Sequence, residues 1–143
     1  MAIRVVVDTN VLIAGLISGK GPNREILRYC LQGDLQPFIG NALYLEYQDL
    51  LNRENIQTLC KQTTVSLMEF LDGFAAVCKA VDAHYLWRPN LKDEADNHLI
   101  EVAIAAHATY IITNNVSDFA NAELKRLGYE VITPELLLKV LRS

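Results

Sequence analysis

Cysteine is scarce in this sequence. Cys30, Cys60 and Cys78 make an odd number, and no two stand in a C-x-x-C spacing. That excludes both a disulfide framework and a structural zinc set. Long apolar runs are missing too: none approaches the ~20 residues that a bilayer-spanning helix needs. Met1-Ala2-Ile3-Arg4 leads too quickly to an acid for a secretory leader, so a reducing cytoplasm is the expected compartment, with no membrane association. Positive charge is also short. The net charge is −4, the reverse of what most phosphate binders carry, although two bound divalent cations would cancel it. Repeats, linkers and low-complexity stretches are absent. What remains is a chain of 143 residues with 51% hydrophobic side chains, enough core for one domain spanning 1–143 and too much for disorder.

The hydrophobic pattern alternates between two periods. Ile3-Arg4-Val5-Val6-Val7-Asp8 is a β-branched run ending in a polar turn, as in a buried parallel strand. A short helix is expected over 11–17, capped from Asp8-Thr9-Asn10, and a second from Pro22 to a stop at Gly33. Residues 35–39 read as a strand, with Pro37 pointing to a sheet edge. Helices are expected over 42–51, 56–59 and 64–79, then a strand at 83–87 and a helix over 95–108. Residues 110–113 and 130–133 make two more strands, separated by a small helix ending at Gly128. Pro134 opens a closing helix. Strands alternating with helices predict an α/β fold with a mostly parallel sheet covered on both faces.

In such sheets ligands bind beyond the carboxyl ends of the strands. Asp8-Thr9-Asn10 and Asn114-Asn115-Val116-Ser117-Asp118 follow the two most apolar strands, and Asp93-Glu94-Ala95-Asp96 adds a third polar turn. Two carboxylates interrupt apolar helix stripes: Glu46 among Leu43, Tyr47, Leu50 and Leu51, and Asp96 at the head of Leu99, Ile100, Ala103 and Ile104. A carboxylate facing a core must be paired, neutralised or bound to metal, and no lysine or arginine sits in either stripe. Hard divalent cations with oxygen ligands answer that need. They also support phosphodiester hydrolysis, with a second metal about 3.5–4 Å from the first where two are bound. His98 and His107 stand nine residues apart, outside the i, i+4 spacing of a ligand pair, and read as ordinary helix-face histidines.

Four segments, in this order, resemble the PIN-domain family: Val5-Val6-Val7-Asp8-Thr9-Asn10-Val11-Leu12-Ile13, Leu45-Glu46, Asp96-Asn97-His98-Leu99-Ile100-Glu101-Val102-Ala103, and Tyr110-Ile111-Ile112-Thr113-Asn114-Asn115-Val116-Ser117-Asp118-Phe119. The chain is most similar to the bacterial members described as toxin components of toxin–antitoxin pairs. The resemblance implies a three-layer α/β/α fold and Mg²⁺- or Mn²⁺-dependent cleavage of RNA. It also implies a homodimer and an antitoxin protein partner. It assigns Asp8, Glu46 and Asp96 to the first three acids of a shared catalytic and metal-binding set. Asn115 stands where family members often carry the fourth, and Asp118 is the nearest substitute. Thr9, Asn10, Thr113, Asn115 and Asp93 are supporting residues, with Glu94-Ala95 where Pro and Asp are common.

Other readings remain open. Asp8-Thr9-Asn10 and Asp118 also suit helix caps, and Asp96 suits a helix first turn. A domain that binds RNA or a protein without cutting fits the loss of an acid at Asn115. An aspartyl-nucleophile phosphatase fits poorly, because its second Asp would stand where Asn10 does. A response-regulator receiver fits poorly as well, since no lysine follows Thr113.

Overall fold

The structure, a computed structural model, describes residues 2–82, 94–119 and 128–143, and for 94–97 and 118 the backbone alone. The expected strand at 83–87 and small helix before Gly128 lie outside the described residues. Five strands form one sheet: β1 (Ile3–Val7), β2 (Leu35–Ile39), β3 (Lys79–Ala80), β4 (Tyr110–Ile112) and β5 (Glu130–Ile132). Their order is β3-β2-β1-β4-β5, and every pairing is parallel. Among the described residues seven helices accompany them: α1 (Thr9–Ile17), α2 (Pro22–Gln32), α3 (Asn41–Leu51), α4 (Glu54–Cys60), α5 (Thr64–Val77), α6 (Glu94–Ala106) and α7 (Pro134–Arg142). The result is a three-layer α/β/α sandwich.

Val5, Val6 and Val7 are fully buried, which is why this strand shows no apolar–polar alternation: both faces of a central parallel strand are covered. α6 packs across β1, β2 and β4 and against α3, while α2 packs against α1 and α7. Local signals set most element ends. Pro22 opens α2, and Gly33 closes it in the left-handed region (φ 88°). Thr63 and Thr133 cap α5 and α7 by accepting from the amides of Ser66 and Leu136.

Pro37 does not mark a sheet edge. β2 lies between β1 and β3, but β3 pairs only with Phe38 and Ile39, beyond the proline. The missing N–H therefore interrupts no β2–β3 pairing. β3 itself begins where the α5 pattern was expected to end.

The chain moves outward from β1 through β2 to β3, then returns to the other side of β1 for β4 and β5. The reversal falls between β1 and β4, and the crevice at their carboxyl ends is where a sheet of this kind accommodates a ligand.

Candidate active site

Val7 pairs with Ile112 in register, so the residues that follow, Asp8 and Thr113, leave the sheet side by side. The amide of Asp8 still donates to the Ile112 carbonyl at 2.9 Å, and Thr113 is completely buried. Asp8 is the N-cap residue of α1, yet its side chain makes no capping hydrogen bond. Its carboxylate, only 5% exposed, is held by other side chains. Oδ1 accepts from the Thr9 hydroxyl at 3.2 Å. Oδ2 accepts from Thr113 Oγ1 at 2.7 Å and from Asn10 Nδ2 at 3.2 Å.

Donor and acceptor counting fixes the direction of these bonds. Thr113 Oγ1 also receives the amide N–H of Asn115 and the Asn10 Nδ2, at 3.1 and 3.2 Å. Both of those groups can only donate, so the single hydroxyl hydrogen must go to Asp8. Asn10 is oriented the same way, because its Oδ1 accepts from the backbone N–H of Asn114 at 3.1 Å. Asp8 Oδ2 is thus an acceptor with two neutral donors, Thr113 and Asn10, while the Thr9 hydroxyl lies against Oδ1.

Burial raises the Asp8 pKa above the ordinary carboxylate value; the hydrogen bonds from Thr113 and Thr9 and the nearby amides of Thr9 and Asn10 offset part of the rise. A buried carboxylate whose partners among the described residues are neutral has the donor chemistry of a hard-cation ligand.

Two close approaches complete the crevice wall. Gly15 lets α2 approach α1: a Cβ there would lie 2.5 Å from Leu27 Cδ1 and 3.3 Å from the Asn23 carbonyl. The start of α2 therefore reaches the loop after β4, where Asn114 Nδ2 donates to Asn23 Oδ1 at 2.8 Å. On the other side, the buried Tyr47 of α3 donates its hydroxyl to the carbonyl of Val7, the residue before Asp8. That bond fixes α3 against the carboxyl end of β1 and brings Glu46, next in the chain to Tyr47, to the same end. Burial foremost, then the charges of Cys78, Asp8, Cys30 and Glu46, hold the Tyr47 phenol well above its ordinary pKa. Both acids act on one ring.

A family model described as the PIN domain matches residues 4–117. The chain belongs to the PIN domain family. In fold this PIN domain is similar to a chain in the crystal structure of VapBC2 from Rickettsia felis bound to a DNA fragment from their promoter. The TM-score is 0.62 and the identity 14%, and the match covers 92% of this chain and 98% of that one. No curated protein matches the sequence.

Within the PIN domain, Asp8, Thr9, Asn10, Thr113 and the Asn115 amide form one network. Glu46 is half-buried, with its carboxylate hydrogen-bonded to His98 Nδ1 of α6. Asp96 lies in the first turn of α6 and Asp118 in a short 3-10 helix, Val116–Phe119, but neither side chain is among those described. Asp93 lies outside the described residues. Among the described residues no three His, Cys, Asp or Glu side chains group closely enough to hold a metal ion. The family match includes Asp8, Glu46 and Asp96 and stops one residue short of Asp118.

His98, expected from the sequence to be an ordinary helix-face histidine, contacts Glu46 across two helices. Glu101, which the sequence reading did not single out, is buried, 5% exposed. Arg28 pairs with Glu25 within α2, Arg53 at the start of α4 pairs with Asp49 of α3, and Arg24 donates to the Gly15 carbonyl at 2.9 Å.

Proposed function

We propose that this PIN domain, taking 1–143 as one unit, is a ribonuclease that hydrolyses RNA phosphodiester bonds with the help of Mg²⁺ or Mn²⁺. We propose further that it is the toxin of a toxin–antitoxin pair. The carrying observation is the state of Asp8: buried at the sheet's switch point, oriented by Thr9, Asn10 and Thr113, and without a cation among its hydrogen-bond partners in the described residues. Metal held by Asp8 and Glu46, with Asp96 and Asp118 as further ligands, would polarise the scissile phosphate and lower the pKa of a bound water.

The chain's own contribution is preorganisation. The Thr113 hydroxyl and the Asn10 amide keep Asp8 Oδ2 an acceptor and fix the carboxylate's orientation. Tyr47 sets the distance of α3 from β1, and with it the place of Glu46. Burial of Asp8 and Thr113 keeps bulk water from competing for these bonds, which strengthens them. The likeness in fold to a chain of the promoter-bound VapBC2 structure supports an antitoxin partner, and the resemblance to toxin components supports a homodimer in the cytoplasm.

The test is cleavage of single-stranded and structured RNA by purified protein with Mg²⁺, Mn²⁺ or EDTA, beside Asp8→Asn. Metal-dependent cutting that vanishes in the variant is expected. Equal inertness of both proteins under every metal would refute the nuclease reading and favour the alternative that Asn115 admits, a PIN domain that binds without cutting.

A further inference from the structure

We propose that His98 is a positioning residue for Glu46, its Nδ1–H holding the Glu46 carboxylate in the orientation that the acidic site uses. This deepens the nuclease reading and rests on it.

The two side chains come from different helices, α3 and α6, and meet through His98 Nδ1 and Glu46 Oε1. An ionised carboxylate only accepts, so the imidazole must carry its proton on Nδ1. The donor is mounted rigidly. Leu99 and Ile100, the next two residues, are buried in the core, and α6 rests across β1, β2 and β4. The acceptor's helix is fixed as well, by Tyr47 on the Val7 carbonyl.

The long Glu46 side chain is 23% exposed against 18% for His98. A hydrogen bond from a fixed donor narrows the rotamers that a glutamate samples. His98 is placed to supply that donor. A donor on Glu46 also resists its turning away from the carboxyl end of β1. Donors that orient a ligating carboxylate in this manner are expected to matter nearly as much as the ligand itself.

The experiment compares wild type with His98→Phe, which keeps a ring and loses the donor, and His98→Asn, whose Nδ2–H takes the place of Nδ1–H. Mn²⁺ binding to each protein, thermal unfolding, and kcat and KM on RNA are measured together. The expected outcome for His98→Phe is about 10–100-fold weaker Mn²⁺ binding or lower kcat, with little change in KM, and His98→Asn recovers most of the loss. If folded His98→Phe binds Mn²⁺ and cleaves within about twofold of wild type, or if His98→Asn is as poor as His98→Phe, the inference is overturned. Nitrogen NMR of the imidazole in metal-free wild type is a check that needs no variant to fold. A proton on Nδ1 whose signal moves in Glu46→Ala supports the assignment, and a proton on Nε2 alone refutes it. Should wild type cut no RNA, the nuclease reading falls, while Mn²⁺ affinity and the imidazole tautomer still decide the role of His98.

Discussion

Replacing Thr113 by Val removes one hydroxyl from a fully buried position and leaves the shape of the side chain nearly unchanged. The hydroxyl donates to a carboxylate at 2.7 Å, and a hydrogen bond to a charged partner contributes about 1.5–3 kcal/mol. Asn10 Nδ2 keeps its second acceptor, Asp8 Oδ2, and the amide of the exposed Asn115 can turn to water, so little is added. A loss of about 2–3 kcal/mol follows, or about 6–12 °C in Tm for a domain of this size. The decisive quantity is the coupling to Asp8. In Asp8→Asn the amide oxygen takes the place of Oδ2, where two donors already point, and the amide nitrogen faces the Thr9 hydroxyl, which can accept. The network survives with a neutral acceptor, so Thr113→Val should cost only about 1 kcal/mol in that background. The expected coupling is therefore about 1–2 kcal/mol. Urea unfolding of all four proteins with metal chelated measures it. Equal costs in both backgrounds, within about 0.3 kcal/mol, would refute the claim that Thr113 holds an ionised Asp8.

The raised pKa of Asp8 has a signed consequence. The folded state holds this proton more tightly than the unfolded chain, so metal-free stability falls as pH rises from the ordinary carboxylate value through the raised one. Asp8→Asn should flatten that part of the pH profile and raise metal-free stability at neutral pH; a profile unchanged by the substitution would count against burial as the cause. Mg²⁺ or Mn²⁺ at a hundredfold excess over Kd should stabilise wild type by about 2.7 kcal/mol, or ~5–10 °C in Tm, and shift Asp8→Asn far less. Tyr47→Phe removes the bond to the Val7 carbonyl and should cost about 1–2 kcal/mol in chemical denaturation, with metal affinity reduced because α3 loses its tie to β1. Gly15→Val, whose Cβ would meet Leu27 Cδ1 at 2.5 Å, should cost ~2 kcal/mol or more by overpacking the α1–α2 contact, seen as a lower Tm.

The parts of this protein readable from sequence were those written in local chemistry. The valines of β1, Pro22 and Gly33 around α2, and the leucines of α7 each specify an element through contacts within a few residues. Leu35–Ile39 was readable as a strand, whereas its place in the sheet was not: Pro37 signals an edge only if the neighbouring strand reaches it, and β3 begins one residue later. Asp8 was legible as a candidate because a carboxylate ends the most apolar strand. That it forgoes capping for Thr113, 105 residues away, depends on β1 and β4 being neighbours, which no local pattern encodes. Glu46 was visible as a polar residue in an apolar stripe. Its partner His98 was not, since two helices must pack before that pair exists.

Asn10 shows how such a network narrows the chemistry open to Asp8. Its amide is the one side-chain group here that donates twice and accepts once, to Asp8, to Thr113 and from the Asn114 amide. An aspartate at this position would set a second carboxylate against Asp8 Oδ2 and the Thr113 lone pairs, with no hydrogen to offer either. Two adjacent like charges raise one another's pKa and need a proton or a cation between them. A fold that used Asp8 as a nucleophile would gain from such an acid two residues on, to give or take a proton. Asn10 cannot do that. What it does is hold Oδ2 in place and tie the β1 and β4 loops together. A fixed oxygen with a neutral amide two residues on suits a ligand to a cation better than an attacking group. Asn10→Asp should therefore destabilise the metal-free protein by about 1–3 kcal/mol at neutral pH, and acid should restore part of the loss as a carboxyl takes up the missing hydrogen. If unfolding experiments found Asn10→Asp as stable as wild type at neutral pH, the orientation assigned to this amide, and the argument built on it, would be wrong.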